Sequence, residues 1–133
     1  MHSNPEAPRR PPRFAASKFA PPGLISCLVP RPRLFDVLDS AGSRQLGLVV
    51  GSPGAGKTTL LADWLAARPG RPAAWLNCDS ADGDPVRFVA ALIDAMRRGF
   101  GDVDLGESAL QLLDLDAEVS MDLLAVLTDD LER

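Results

Sequence analysis

The sequence is poor in the residues on which most catalytic and metal sites depend. Of its 133 residues, one is histidine (His2), two are cysteines (Cys27 and Cys78) and none is tyrosine. The cysteines have no CxxC partner and no nearby histidine pair, so neither a zinc site nor a disulfide framework is predicted. One histidine close to the N-terminus offers no basis for histidine acid–base catalysis.

Long apolar runs are also missing. No stretch approaches the 18 consecutive apolar residues that indicate a transmembrane helix. The N-terminus lacks the apolar segment of a secretory signal. We therefore expect a cytoplasmic chain with no membrane partner. Its length and an apolar fraction of 46% fit at most one globular domain with a real core.

Positive charge is unevenly distributed, and lysine is scarce. Residues 1–33 hold six basic residues against one acidic residue, whereas residues 101–133 hold ten acidic residues and one arginine. The first 23 residues contain six prolines, which predicts a disordered Pro/Arg-rich leader rather than a nucleic-acid patch. Phe14 and Phe19 are expected to attach the end of this leader to a domain over residues 24–133.

One stretch carries a motif with a chemical mechanism. Residues 51–58 read G-S-P-G-A-G-K-T, which matches the Walker A or P-loop pattern G-x-x-x-x-G-K-[ST]. We call this stretch the glycine loop. In such a loop, backbone N–H groups bind phosphate oxygens, the lysine reaches the β- and γ-phosphates, and the hydroxyl binds Mg²⁺. The predicted cofactors are ATP and Mg²⁺, and the predicted site residues are Gly51, Ser52, Pro53, Gly54, Ala55, Gly56, Lys57, Thr58 and Thr59, with Thr58 as the metal ligand.

The flanks of the glycine loop predict an α/β fold. Residues 46–50 are a short apolar run suited to a buried parallel strand, and residues 73–77 predict a second strand. A helix is predicted from Lys57 to Arg68. The expected fold is a partial P-loop NTPase, with parallel strands and flanking helices in a three-layer sandwich and an incomplete sheet. Further helices are predicted to begin at Pro32 and at Pro85 after an Asp84 cap, and to run over residues 107–113 and 120–131.

An acidic strand that would complete a hydrolytic site is not found. Such a strand normally ends in a carboxylate that binds Mg²⁺ and helps to orient the attacking water. We therefore predict no catalytic residue, and no ATP hydrolysis by this chain alone. The expectation is the front portion of a larger ATPase domain, truncated before the Walker B strand.

The ordered segments resemble those of a known family. The chain is similar to the N-terminal part of MalT-type regulators, within the LuxR-family transcriptional activators and the STAND class of P-loop NTPases. The resemblance is carried by residues 17–22 (SKFAPP), 28–34 (LVPRPRL), 48–61, 64–66, 74–79 and 84–88. It implies an ATP-dependent switch with weak ATPase activity at most, assembly into homo-oligomers on activation, and DNA binding through a C-terminal domain absent from this chain. It also places Val29 and Arg31 near the adenine.

Two alternatives stay open. A small kinase-like phosphotransferase would need an acidic base, for which Asp79 is the candidate. Asp79 in a loop after a strand more commonly holds that loop. The other alternative is a non-hydrolysing interaction fragment.

Overall fold

The computed structural model describes residues 12–23, 29–41, 46–116 and 118–132. These residues form five α-helices and two 3-10 turns. The helices are α1 (Pro32–Ala41), α2 (Lys57–Ala66), α3 (Pro85–Phe100), α4 (Glu107–Asp116) and α5 (Met121–Leu131); the 3-10 turns are Ala16–Phe19 and Ser80–Gly83. They belong to two compact units. The core unit comprises the described residues up to Ala20 and from Ala73 onward, and the loop unit those of Pro21–Pro72.

The predicted α/β sandwich is wrong. None of the described residues forms a β-strand, and both runs predicted as strands, residues 46–50 and 73–77, are irregular. In the first run Leu46, Leu48 and Val50 are at least 80% exposed. An apolar run indicates a preference for burial but does not identify the strand with which it would pair, and a parallel strand needs such a partner. The described residues therefore form helices joined by irregular segments, without the sheet of a layered α/β fold.

The helix predictions were better because helix ends carry local signals. Asp84 accepts a hydrogen bond from the Val86 amide at 3.0 Å, and Pro85 is the first residue of α3, as predicted. Gly101 ends α3 in a left-handed conformation, with φ of 72°. Ser120 caps α5 by accepting a hydrogen bond from the Leu123 amide at 3.1 Å.

The hydrophobic core lies in the core unit, where α3, α4, α5 and the turn before α4 contribute its buried side chains. Its buried members are Val89, Ala90, Ile93, Met96, Leu105, Ala109, Leu113, Leu123 and Leu127. Gly106 allows the turn before α4 to approach α3, since an added Cβ would lie 2.8 Å from Ile93 Cγ2. Gly99 allows a second close approach, because its Cβ would lie 2.3 Å from the Ala73 carbonyl oxygen. Residues 73–74 therefore lie directly on the backbone of α3.

Residues 12–20 are part of the core unit. Phe14 packs against the core cluster, as expected, and the Arg87 guanidinium lies 5.0 Å from its ring centroid. Arg98 lies 4.6 Å from the ring centroid of Phe19. The backbone N–H of Asn77 donates to the Lys18 carbonyl at 2.8 Å. The boundary at residue 23 and the disorder of the leader stay predictions, and residues 1–11 lie outside the described part.

Candidate functional site

The glycine loop bends sharply before α2 begins at Lys57. Gly54 and Gly56 have φ of 80° and 77°, a left-handed conformation that favours glycine. Gly51 is close to the far side of the turn, since a Cβ there would lie 3.3 Å from Ala55 Cβ. The Ala55 amide donates to the Ser52 carbonyl at 3.2 Å. The three glycines of the motif thus stand where the bend restricts side chains.

The first turn of α2 follows the loop without a side-chain cap. Gly56 is the N-cap residue, and no side chain accepts a hydrogen bond there. The first helical bond runs from the Leu60 amide to the Gly56 carbonyl, at 2.8 Å. N–H groups at the start of a helix carry partial positive charge and need acceptors. This end of α2 can therefore bind an anion.

Lys57 lies against the start of the glycine loop. Its Nζ atom donates to the Gly51 carbonyl at 2.8 Å and to the Ser52 carbonyl at 2.9 Å. An ammonium group has three N–H donors, so these two bonds leave capacity for a further acceptor. Thr58 is exposed and Thr59 half-buried at the same end of the helix.

Arg31 also contacts the glycine loop. Its Nη1 atom donates to the Ala55 carbonyl at 3.2 Å, and its guanidinium lies beside Gly56. Val29, the other residue predicted near the adenine, is 75% exposed. The structure therefore places Arg31 against the loop backbone, a contact that the motif alone does not predict.

Helix α1 is joined to the other end of α2 by Asp39. This carboxylate accepts hydrogen bonds from Trp64 Nε1 at 3.0 Å and Arg68 Nε at 2.9 Å. Arg68 Nη2 forms an ion pair with the same carboxylate. The hydrogen bonds from Arg68, more than that from Trp64, hold the pKa of Asp39 below its usual range.

Asp79, the candidate base of the phosphotransferase alternative, is held in an ion pair of the core unit. Lys18 Nζ donates to Asp79 at 2.9 Å and to Asp82 at 2.6 Å, and Lys18 is only 7% exposed. Asp79 also accepts from the Ala81 amide at 2.8 Å. The hydrogen bond from Lys18 is the main cause that lowers the pKa of Asp79, which makes it a weak base. Asp79 thus holds a loop, as the simpler interpretation predicted.

The role of Lys18 was not predicted from the sequence. The scarcity of lysine and the Asp-x-x-Asp spacing of residues 79–82 were the signals available. Neither signal reveals that Lys18 pairs with these carboxylates, because Lys18 is 61 residues from Asp79 and 64 residues from Asp82 in the sequence.

Four other features of the described residues bear on function. No group of three or more His, Cys, Asp or Glu side chains there could hold a metal ion, and the thiol of Cys78 is free and exposed. Cys27 lies outside these residues. No helix in the same part of the chain is long and apolar enough to cross a membrane. A cavity of about 410 Å³ lies in the core unit between Phe14, α3 and α4, and no predicted site residue lines it.

Comparison with known proteins finds partial relatives. No protein-family model matches the chain, and no solved structure matches it significantly. The serine/threonine-protein kinase PknK of Mycobacterium tuberculosis is 38% identical over 89 residues, which cover 65% of this chain and 8% of the kinase. The HTH-type transcriptional regulator MalT of Vibrio cholerae is 38% identical over 82 residues, 62% of this chain and 9% of that protein. MalT of Cronobacter sakazakii is 34% identical over 85 residues, 64% of this chain and 9% of that protein.

The chain therefore spans less than a tenth of the length of the curated relatives it matches. Over the matched segment, this protein is related in sequence to the MalT-type transcriptional regulators and to PknK.

Proposed function

We propose that the glycine loop binds the triphosphate of ATP with Mg²⁺, and that the chain is the nucleotide-binding segment of a MalT-type transcriptional regulator. The observation that carries this proposal is the bent loop that leads into a helix without a side-chain cap, with Lys57 Nζ 2.8 Å from the Gly51 carbonyl. The similarity to MalT proteins supports the regulatory part.

The residues present fit a polyphosphate ligand. A Cβ at Gly54 would meet no atom within 4 Å, so the backbone there is open to a ligand. N–H groups of the loop and of the first turn of α2 would hold phosphate oxygens. Lys57 would exchange its bonds to the Gly51 and Ser52 carbonyls for bonds to the β- and γ-phosphates, and the Thr58 hydroxyl would bind Mg²⁺. The metal would neutralise phosphate charge.

ATP would act as a ligand that switches conformation, and this chain would not hydrolyse it. A ligand shifts a conformational equilibrium only by its difference in affinity between the two states. In the whole regulator, nucleotide binding would favour an assembled homo-oligomer. DNA would be bound elsewhere in the whole protein, in keeping with the HTH-type description of MalT.

The test is calorimetric titration of the 133-residue chain with Mg-ATP. Lys57→Ala removes a charged donor worth about 1.5–3 kcal/mol, so we expect affinity to fall at least about 10-fold. The matched control is Arg33→Ala, which removes one exposed positive charge from α1. No binding by the wild-type chain, or equal affinity of Lys57→Ala and wild type, would overturn the proposal.

A further inference from the structure

We propose that Arg31 orients the peptide group between Ala55 and Gly56, and so strengthens binding of a polyphosphate chain whatever base it carries. This inference rests on the proposed function and assigns Arg31 a positioning role at the same site. It differs from the placement near adenine that the family resemblance implies.

The contact is with the backbone of the loop. Arg31 Nη1 lies 3.2 Å from the Ala55 carbonyl oxygen. Its Nη2 and Nη1 atoms lie 3.3 Å and 3.6 Å from the position of a Cβ at Gly56. The guanidinium therefore lies against the Ala55–Gly56 peptide group, just before α2 begins.

Because the peptide bond is planar, the contact of Arg31 with the Ala55 carbonyl also sets the direction of the Gly56 N–H donor. The Ala55 carbonyl and the Gly56 N–H belong to one planar group, in which they point in opposite directions. A hydrogen bond that fixes the carbonyl toward Arg31 therefore fixes the N–H away from it. Gly56 has a φ of 77°, in a region where glycine is conformationally free, so this peptide needs an external constraint.

Arg31 is itself held in place. Its carbonyl accepts from the Leu34 and Phe35 amides at 3.0 Å and 3.2 Å, which puts it at the start of α1. At the far end of α1, Asp39 is bonded to Trp64 and Arg68. Both ends of α1 are thus tied to the segment that contains the glycine loop and α2. A donor so fixed can hold the loop in its binding conformation before the ligand arrives, which reduces the ordering cost of binding.

The experiment compares Mg-ATP with magnesium tripolyphosphate, which has no base. Removing one hydrogen bond costs about 0.5–1.5 kcal/mol, so Arg31→Ala should weaken both ligands by the same factor of about 2- to 12-fold. Arg31→Lys, which keeps a donor, should recover part of the loss. Arg33→Ala, two residues along the chain, should leave both affinities unchanged.

A second measurement follows the peptide group without any ligand. In ¹H–¹⁵N correlation spectra, the Gly56 amide should shift or broaden in Arg31→Ala and stay in place in Arg33→Ala. Loss of ATP affinity alone, with tripolyphosphate unaffected, would assign Arg31 to the base and overturn the inference. An unchanged Gly56 amide would also overturn it. If the wild-type chain binds neither ligand, the proposed function fails and this inference fails with it.

Discussion

At Gly99, helical propensity and tertiary packing favour opposite outcomes of a substitution by alanine. In a helix, this substitution normally stabilises the fold by up to about 1 kcal/mol, because glycine loses more backbone entropy on folding. Here the added Cβ would lie 2.3 Å from the Ala73 carbonyl oxygen and 2.6 Å from Ala74 Cα. Both are backbone atoms, so no side-chain rotation relieves the overlap. Residues 73–74 would have to move away from α3.

The size of the effect follows from that geometry. Overpacking typically costs about 1–3 kcal/mol. The upper part of that range applies, because real Cβ atoms essentially never approach another heavy atom within 3.0 Å. After subtraction of the helical gain, Gly99→Ala should lower the free energy of unfolding by about 2 kcal/mol. For a unit of about 60–100 residues, a loss of this size lowers the Tm by roughly 8–15 °C.

Urea denaturation followed by circular dichroism would measure this difference. The control is Gly83→Ala, where a Cβ meets no atom within 4 Å and stability should change by less than about 0.5 kcal/mol. The slope m should be the same in all three proteins, so that a change in midpoint reports stability. A Gly99→Ala protein at least as stable as wild type would refute the packing of residues 73–74 on α3.

Two further predictions concern the core unit. Hydrogen bonds from Lys18 hold the pKa values of Asp82 and Asp79 below their usual range. The ionised carboxylates therefore stabilise the folded state fully above about pH 4. This stabilisation is lost as the pH falls through the lowered pKa values of the folded state. The difference in unfolding free energy between wild type and Lys18→Met should therefore shrink in acid, and a difference that is constant between pH 7 and pH 2 would contradict the ion pair. Ile93 is fully buried, so Ile93→Ala should cost about 2–5 kcal/mol, against less than about 0.5 kcal/mol for Met121→Ala at a position 79% exposed. Similar losses for both variants in urea titrations would show that the core is misplaced.

The sequence predicted those parts of the fold whose determinants are local. The Asp84–Pro85 pair sets the start of α3 through a hydrogen bond that spans two residues, and Ser120 sets the start of α5 through one that spans three. The strands could not be predicted reliably, because pairing depends on distant partners that an apolar run does not specify. At residues 73–74 the backbone contacts α3 instead of pairing with a strand, and the absence of a Cβ at Gly99 permits this contact.

In the candidate site, too, some features follow from the local sequence and others only from the fold. The positions of Gly54, Gly56 and Lys57 follow from a motif eight residues long. The contact of Arg31 with Ala55 joins residues 24 apart, so only the fold brings them together. The family resemblance implied a place for Arg31 near the adenine, but it did not identify the Ala55 carbonyl as the group that Arg31 contacts.

The hydrogen bond from the backbone N–H of Asn77 to the Lys18 carbonyl has a topological consequence. It brings together two points of the core unit between which the whole loop unit is inserted in the chain. In the chain, the loop unit is therefore an internal insert with two covalent attachments to the core unit. A recombinant fragment that begins at the glycine loop would keep the motif but would lose Phe14 and Lys18 from the core unit and Arg31 and α1 from the loop unit, so its failure to fold or to bind would not report on the motif alone.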